Sequence, residues 1–350
     1  MTRKPLKYRI KTVVAHALYY LGLLRLWQSV AIRRKAVVLM YHRVLTSEER
    51  QRTASHPGIV VDRDTFARQM HLLKQRFVVL SLEEFAERLH GRVPFDSSSC
   101  LITFDDGWQD NFTNALPILR EHGLPALVFL PVNYIGQQRL FWQEAITHLL
   151  VRVAMDVRAR PGRRPRFHEL LAPVGLESVM DLVDEDPRLA IVEAVGSKKN
   201  VSPAVLERLS GVLTAELGVR LDELGSSDSF MTWDQIAVMS QNGIAFGGHG
   251  AEHRLLTQVS GEEAQAEIAA SKEMIDRNFR ETVPTFSYPN GSWNPEIADR
   301  VKLSGYRLAF TTQPGFVRCE HDPFTLRRVN IHEHVTDSAP MFLARVVGLF

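Results

Sequence analysis

Apolar residues recur along most of this chain in two alternating rhythms. Apolar runs at 36–40, 126–130 and 244–246, and the stretch 101–104 that only Thr103 interrupts, have the length and the β-branched or aromatic content of buried strands. Between them lie amphipathic stretches. Phe66, Met70, Leu73 and Phe77 fall at helical spacing, and Ser81 followed by Glu84 reads as a capping box that opens the next helix. Further helices are expected over 110–121, from Thr232 onward and over 262–279, and further strands at 78–80, 285–288, 308–311 and 329–331. Strand alternating with helix predicts an α/β fold, a parallel sheet or barrel whose functional residues gather at the strand ends. The rhythm breaks between about 143 and 230. There the pattern is helical, with a basic, proline-containing linker at 158–166 and an acidic patch at 181–186. This reads as an insertion beside the mouth of the scaffold, serving either as substrate cover or as a solvated decoration.

The chemistry-bearing residues sit where two of those strands end. Thr103-Phe104-Asp105-Asp106-Gly107 places adjacent carboxylates after a buried strand, and a turn at Gly107 can bring both to one mouth. Neighbouring carboxylates repel when both are ionised, so the pair calls for a cation, a shared proton or a strong donor. His249 and His253 follow the strand ending at Phe246, and their i, i+4 spacing predicts two imidazoles on one side of a helical turn. One carboxylate with two imidazoles leaves a position open for water, as in catalytic rather than structural zinc sites. A lone His-x-x-x-His is more often a solvated helix face. Combined with the Asp pair it favours a metal.

These motifs, together with Phe286-Ser287-Tyr288-Pro289-Asn290-Gly291, resemble the polysaccharide deacetylase family, the carbohydrate esterases that share the NodB-homology domain. The resemblance spans roughly residues 36–335, interrupted in the middle. It implies a distorted (β/α) barrel with a helical insertion, and a site in which Asp105 is the general base and Asp106, His249 and His253 hold a divalent metal, Zn2+ by preference. It also implies that the backbone N–H of Asn290 helps bind the oxyanion. His42, at the end of the apolar strand Ala36-Val37-Val38-Leu39-Met40-Tyr41, is the expected general acid, because some members carry a Tyr-His motif near the N-terminus in a permuted order; His332 is the alternative. Two positions depart from the family pattern. Gly250 stands where Ser or Thr is usual, and Ser287 stands where an Arg would pair with the catalytic Asp. Arg328 is the candidate replacement for that cation.

Composition narrows the context. Of 350 residues 45% are apolar and 23% charged, the balance of a globular protein, and the formal net charge of +2 gives no cause to expect nucleic acid as a partner. Cys100 and Cys319 are the only cysteines, which excludes a disulfide framework. Residues 1–35 carry nine Lys or Arg and no Asp or Glu around an apolar run at 13–24. That run is too short to span a bilayer, which takes about 20 residues, and it reads as a helix on a membrane surface or on the domain itself. The expected location is the cytoplasm, at the inner membrane face, with an exported or periplasmic location as the alternative. The residues by themselves give metal-assisted hydrolysis; the family resemblance implies that this is metal-dependent N-deacetylation of amino sugars in a bacterial surface polysaccharide or its lipid-linked precursor. The rivals are another metal-dependent amide or ester hydrolase, such as an O-deacetylase or deformylase, and a non-catalytic glycan-binding protein. Trp108, Tyr134 and Trp293 are candidates for stacking on sugar faces or for packing in the core.

Overall fold

The apolar runs become the centre of one parallel sheet. The computed structural model describes residues 6–95, 98–182, 187–198, 201, 203–224, 228–279 and 283–350. Residues 183–186 of the acidic patch and residues 1–5 of the basic segment lie outside these. The strands in chain order are β1 (Ala36–Tyr41), β2 (Arg43–Leu45), β3 (Val60–Asp62), β4 (Val78–Val79), β5 (Ser99–Phe104), β6 (Ala126–Leu130), β7 (Ile244–Gly248), β8 (Thr285–Ser287), β9 (Leu308–Phe310) and β10 (Val329–Asn330). The main sheet runs β10-β1-β5-β6-β7-β8-β9, with β4 beside the first half of β5, and every pairing is parallel. Strands β2 and β3 form a separate parallel pair. Each is three residues long, too short for its periodicity to show in the sequence.

β1, β5 and β6 are buried at every position, as expected where helices cover both faces of a parallel sheet. The sheet curls into a half-barrel, and one run of chain bridges its edges. Leu326 pairs with Phe310 at one edge, while Val329 and Asn330 pair with β1 at the other. Helices Arg63–Arg76, Leu82–Leu89, Trp233–Ser240 and Gly261–Asn278 occupy the stretches where helical spacing placed them. The capping boxes at Ser81/Glu84 and Thr232/Gln235 are both formed.

The expected helix over 110–121 begins differently. Residues Asn111–Ala115 form a π-helical turn before the α-helix Leu116–His122. Its cause is tertiary, because the buried Asn111 and Asn114 side chains donate to the carbonyls of His42 and Val44 at 2.8 Å each.

The sheet belongs to a compact unit of Met1–Thr46, Gly58–Gln137 and Phe230–Phe350. A second unit, Ser47–Pro57 with Gln138–Ser229, is helical and has its own core around Leu149, Leu150, Val153, Phe167, Leu171 and Leu213. The stretch read as a basic linker is helical for the most part, lying in the end of Trp142–Ala159 and the start of Arg164–Leu171. Its arginines are paired: Arg163 with Asp156 at 2.8 Å and Arg166 with Glu216 at 2.6 Å.

Candidate metal centre

Register alone brings His42 beside Asp105. β1 and β5 pair from Ala36↔Ser99 to Tyr41↔Phe104, so the next residue of each strand emerges at the same carboxyl end, and the Asp105 N–H donates to the Tyr41 carbonyl at 3.0 Å. On the other side of β6, the pair Leu130↔Gly248 ends β7 at the same level, and the His249 N–H donates to the Leu130 carbonyl at 2.9 Å. β8 ends at Ser287, opposite Phe310 of β9. Asp105, Asp106, His42, His249 and Ser287 are thus delivered by four strands to one end of the sheet, where open α/β folds bind ligands.

The backbone then turns sharply. Asp106 and Gly107 both have left-handed φ, 75° and 65°, which swings the second carboxylate round to face the histidines. His249 and His253 come together, but not on a helix as their spacing predicted. Gly250 (φ 77°) and His253 (φ 55°) fold the loop back on itself and leave the ring centroids 4.9 Å apart. The loop is held from outside. Glu267 Oε2 accepts the N–H groups of Ala251 and Glu252 at 2.9 and 2.8 Å, and the N–H groups of Val132 and Asn133 donate to the carbonyls of Gly250 and Ala251. The bracing that a hydroxyl at position 250 would give is supplied here by a carboxylate from the helix Gly261–Asn278.

Three ligand atoms converge. Asp106 Oδ1 lies 3.5 Å from His249 Nε2 and 3.4 Å from His253 Nε2, and the three residues offer atoms within 4.8 Å of one another. Their remaining polar atoms are occupied in the way that orients metal ligands. His249 Nδ1 is 2.7 Å from the Ser287 carbonyl, so it carries the proton and leaves Nε2 a lone pair. Asp106 Oδ2 accepts the Trp108 indole N–H at 3.0 Å, leaving Oδ1 for an ion. Burial pushes the His253 imidazole down to about 4, which keeps it neutral and able to ligate. At His249 burial also pushes down, but Asp105 and Asp106 outweigh it and the net shift is upward. The two carboxylates therefore favour positive charge at this point, and the residues present fit a divalent ion with a position left open.

Asp105 is not aimed at the same ion. Arg328 grips it with both arms, Nη1 to Oδ1 and Nη2 to Oδ2 at 2.7 Å each, and no part of Arg328 is exposed. The guanidinium also donates to Ser287 Oγ at 2.8 Å, to the Thr311 carbonyl at 2.9 Å and to Thr103 Oγ1 at 3.3 Å. A small residue at 287 and an arginine from the bridging run thus replace the pairing that the departure at 287 removed. Burial would raise the Asp105 carboxyl, but Arg328 and then His249 more than offset this and hold it below the usual carboxylate range. His42 Nε2 lies 3.9 Å from Asp105 Oδ2. Its Nδ1 is buried with no hydrogen-bond partner among the described residues, and burial lowers its affinity for a proton. The other candidate acid, His332, caps the short helix Glu333–Thr336, its ring 6.3 Å from that of His334. Asn290 has a left-handed φ of 53° between Pro289 and Gly291, two residues beyond the Ser287–Tyr288 peptide.

The aromatic candidates divide. Trp108 is no sugar platform, because it is fully buried, stacked on Phe230 at 4.6 Å under the Arg43 guanidinium, with its N–H on Asp106. Tyr134 is buried against Phe230 as well. Trp293 is partly exposed beside Tyr288. Sequence reasoning did not mark Trp108 and Glu267 as supports of the ligands. Their positions carried no such sign, although a hydrogen-bonding aromatic next to the Asp pair was visible.

Known proteins share this architecture. A family model described as polysaccharide deacetylase matches residues 92–158 and 212–309. YxkH of Bacillus subtilis strain 168, assigned by name to the polysaccharide deacetylases, is 21% identical over 306 residues, covering 87% of this chain and 74% of its own. Among solved structures, the deacetylase PplD of Streptococcus pyogenes, in complex with acetate, aligns over 89% of this chain and 98% of its own, with TM-score 0.56 and 19% identity. IcaB from Ammonifex degensii aligns over 90% and 97%, with TM-score 0.55 and 18% identity. At such identities the structural likenesses establish the fold.

Proposed function

We propose, from the premise that this chain belongs to the polysaccharide deacetylase family, that it removes N-acetyl groups from amino sugars of a bacterial surface polysaccharide or its lipid-linked precursor. The family's enzymes are hydrolases of carbon–nitrogen bonds other than peptide bonds. The observation that carries the finer reading is the pairing of two differently treated carboxylates. Asp106 is turned toward two neutral-capable imidazoles, and Asp105 is clamped in its ionised form by Arg328.

Asp106, His249 and His253 would hold the metal, Zn2+ on the strength of the nitrogen-rich donor set. When bound, such an ion polarises an acyl carbonyl and makes water more acidic. The chain does the rest. Asp105, ionised and fixed, takes the proton of the attacking water. The Asn290 N–H donates to the oxygen that gains charge as the carbonyl carbon becomes tetrahedral. His42, beside Asp105, hands a proton to the departing amine when it enters the step as imidazolium, and its burial-lowered affinity makes that proton easy to release. Buried reacting groups at the strand ends suit an acetamide projecting from a chain, and Trp293, partly exposed beside Tyr288, follows Asn290 by three residues.

The family model's description and the name of YxkH, both polysaccharide deacetylase, support a glycan substrate by kinship. The deciding measurement is acetate release from N-acetylglucosamine oligomers and from a lipid-linked acetamido sugar, with metal-loaded protein, after chelation, and with Asp105→Asn. Release that needs metal and vanishes in the variant is the expected result. Tight Zn2+ binding with no release from either substrate, but release from an O-acetylated or formylated one, would move the reading to another acyl group. No hydrolysis of any of these, with retained binding of intact glycan, would make the chain a binding protein.

A further inference from the structure

The two helices at the start of the described chain are inside out. In α1 (Leu6–Tyr20), Leu6, Ile10 and Val13 recur at i, i+4 and i+7 and are 70%, 55% and 69% exposed. The opposite stripe, Tyr8, Thr12, Ala15 and Tyr19, faces the protein. There the Tyr8 hydroxyl donates to Asp337 at 3.0 Å, and the Arg76 guanidinium lies 5.4 Å over the Tyr19 ring. α2 (Leu23–Ala31) repeats the arrangement. Leu26 and Val30 point outward, 66% and 70% exposed, while Leu24 and Gln28 are buried and Gln28 Nε2 donates to the Arg76 carbonyl and Ser98 Oγ at 3.0 and 3.1 Å. A surface helix in water buries its apolar stripe and exposes its polar one. Here the anchored side mixes Ala15 and Leu24 with the polar groups of Tyr8, Thr12, Tyr19 and Gln28, while the broader apolar stripe is left outward, fitted to a medium other than water.

The charge around it names that medium. Lys7, Arg9, Lys11, Arg25, Arg33 and Arg34 are exposed, and residues 6–35 contain no Asp or Glu. We infer that α1 and α2 lie in the plane of an anionic lipid bilayer surface, apolar stripe in the acyl boundary and basic residues among the headgroups. No helix of the described chain is long and apolar enough to cross a membrane. Gly22, left-handed at φ 74°, breaks the apolar run into two short helices that can each lie flat. The inference stands apart from the chemistry of the site.

It is tested by co-sedimentation of the full chain with unilamellar vesicles of phosphatidylcholine containing phosphatidylglycerol, and of phosphatidylcholine alone. The expected result is binding to the anionic vesicles that weakens as salt rises, and weaker binding to the neutral ones. The exposed-site variants Ile10→Ser/Val13→Ser/Leu26→Ser and Lys7→Glu/Arg9→Glu, each with wild-type circular dichroism, should bind at least about tenfold less. The inference is overturned if the wild type ignores both vesicles or if both variants bind as well as it does. It is equally overturned if light scattering shows a dimer in solution that the apolar variant dissolves, since a second copy would then be what covers the stripe.

Discussion

A buried carboxylate with both oxygens on one guanidinium is a base whose ionisation is set by that cation, and this makes Arg328 the most informative single residue to change. Asp105 must be ionised to accept a proton, so activity is lost as pH falls through its pKa. Burial pushes that pKa up, Arg328 leads the groups that pull it below the usual carboxylate range, and removing Arg328 leaves only His249 and His42 against burial, so the pKa rises. Arg328→Met should therefore move the acidic limb of the kcat/KM profile to higher pH and cut the plateau about a hundredfold. Arg328→Lys should move the limb less, because a cation remains without the two-armed geometry. An unmoved limb in the Met variant would separate Arg328 from the ionisation of Asp105. Trp108 acts on the other carboxylate. Trp108→Phe keeps the ring against Phe230 and under Arg43 but removes the N–H from Asp106 Oδ2. Zn2+ affinity, measured by competition with a chelator, should fall about 10- to 100-fold. The difference between these residues explains what was legible. Asp105, Asp106, His249 and His253 announce themselves because like charges and paired imidazoles need a common partner wherever they lie. Arg328 could be named only because Ser287 left a cation missing. Trp108 and Glu267 act through space on atoms their sequence neighbours do not identify, and the sequence leaves Trp108 open between sugar stacking and core packing.

The helical turn expected from His249 and His253 shows how spacing misleads at the scale of an element. Four residues can close by a helix or by left-handed residues at both ends of a loop, and Gly250 with His253 takes the second way. Such a loop has no ladder of its own, so its geometry depends on what it hangs from. Glu267 bonds two of its N–H groups, and its own carboxyl is raised by burial against the pull of those donors. Glu267→Ala leaves both donors without that acceptor, at a cost of about 2 kcal/mol. The expected outcomes are a Tm lower by several degrees and weaker Zn2+ binding, since His253 rides on the loop; Glu267→Gln should recover part of both. A Tm loss with unchanged metal affinity would show that the loop keeps its shape without the carboxylate. Elements marked by a continuous apolar run or by a long helical stretch, such as β6 and the helix Gly261–Asn278, fall within a residue or so of where the sequence placed them. Elements decided by tertiary bonds, the π-helical turn at Asn111–Ala115 and the three-residue β2 and β3, do not show in the pattern.

Strand order and register belong to the whole molecule, and nothing in the sequence dictates that the final strand should return to the side of the first, or that His42 should emerge level with Asp105. The same holds for the second unit, which joins Ser47–Pro57 to a stretch that begins eighty residues later in chain order. What fastens this short segment is a buried polar knot rather than an apolar stripe. Asp228, fully buried, accepts from Thr53 Oγ1 at 2.5 Å through Oδ1 and from the Ala54 N–H at 2.9 Å through Oδ2, and His148 Nε2 lies 2.8 Å from the same Oδ2. Ser55 adds a bond to the buried Glu144 at 2.9 Å. A carboxylate that gathers three donors inside a protein cannot be deleted without leaving them unsatisfied, and the helix Ser47–Arg52 buries no side chain that could hold the segment in its place. Asp228→Ala should therefore cost about 3 kcal/mol and free the segment before the helical core of its unit is disturbed. Limited proteolysis should then cut first within 47–57, while the core around Leu150 and Phe167 keeps its protection in hydrogen exchange. Glu144→Gln, which can still accept from Ser55, should leave the segment protected. Cleavage elsewhere first, or equal loss of protection across the unit, would mean that Asp228 supports the helical core as a whole and not the segment alone.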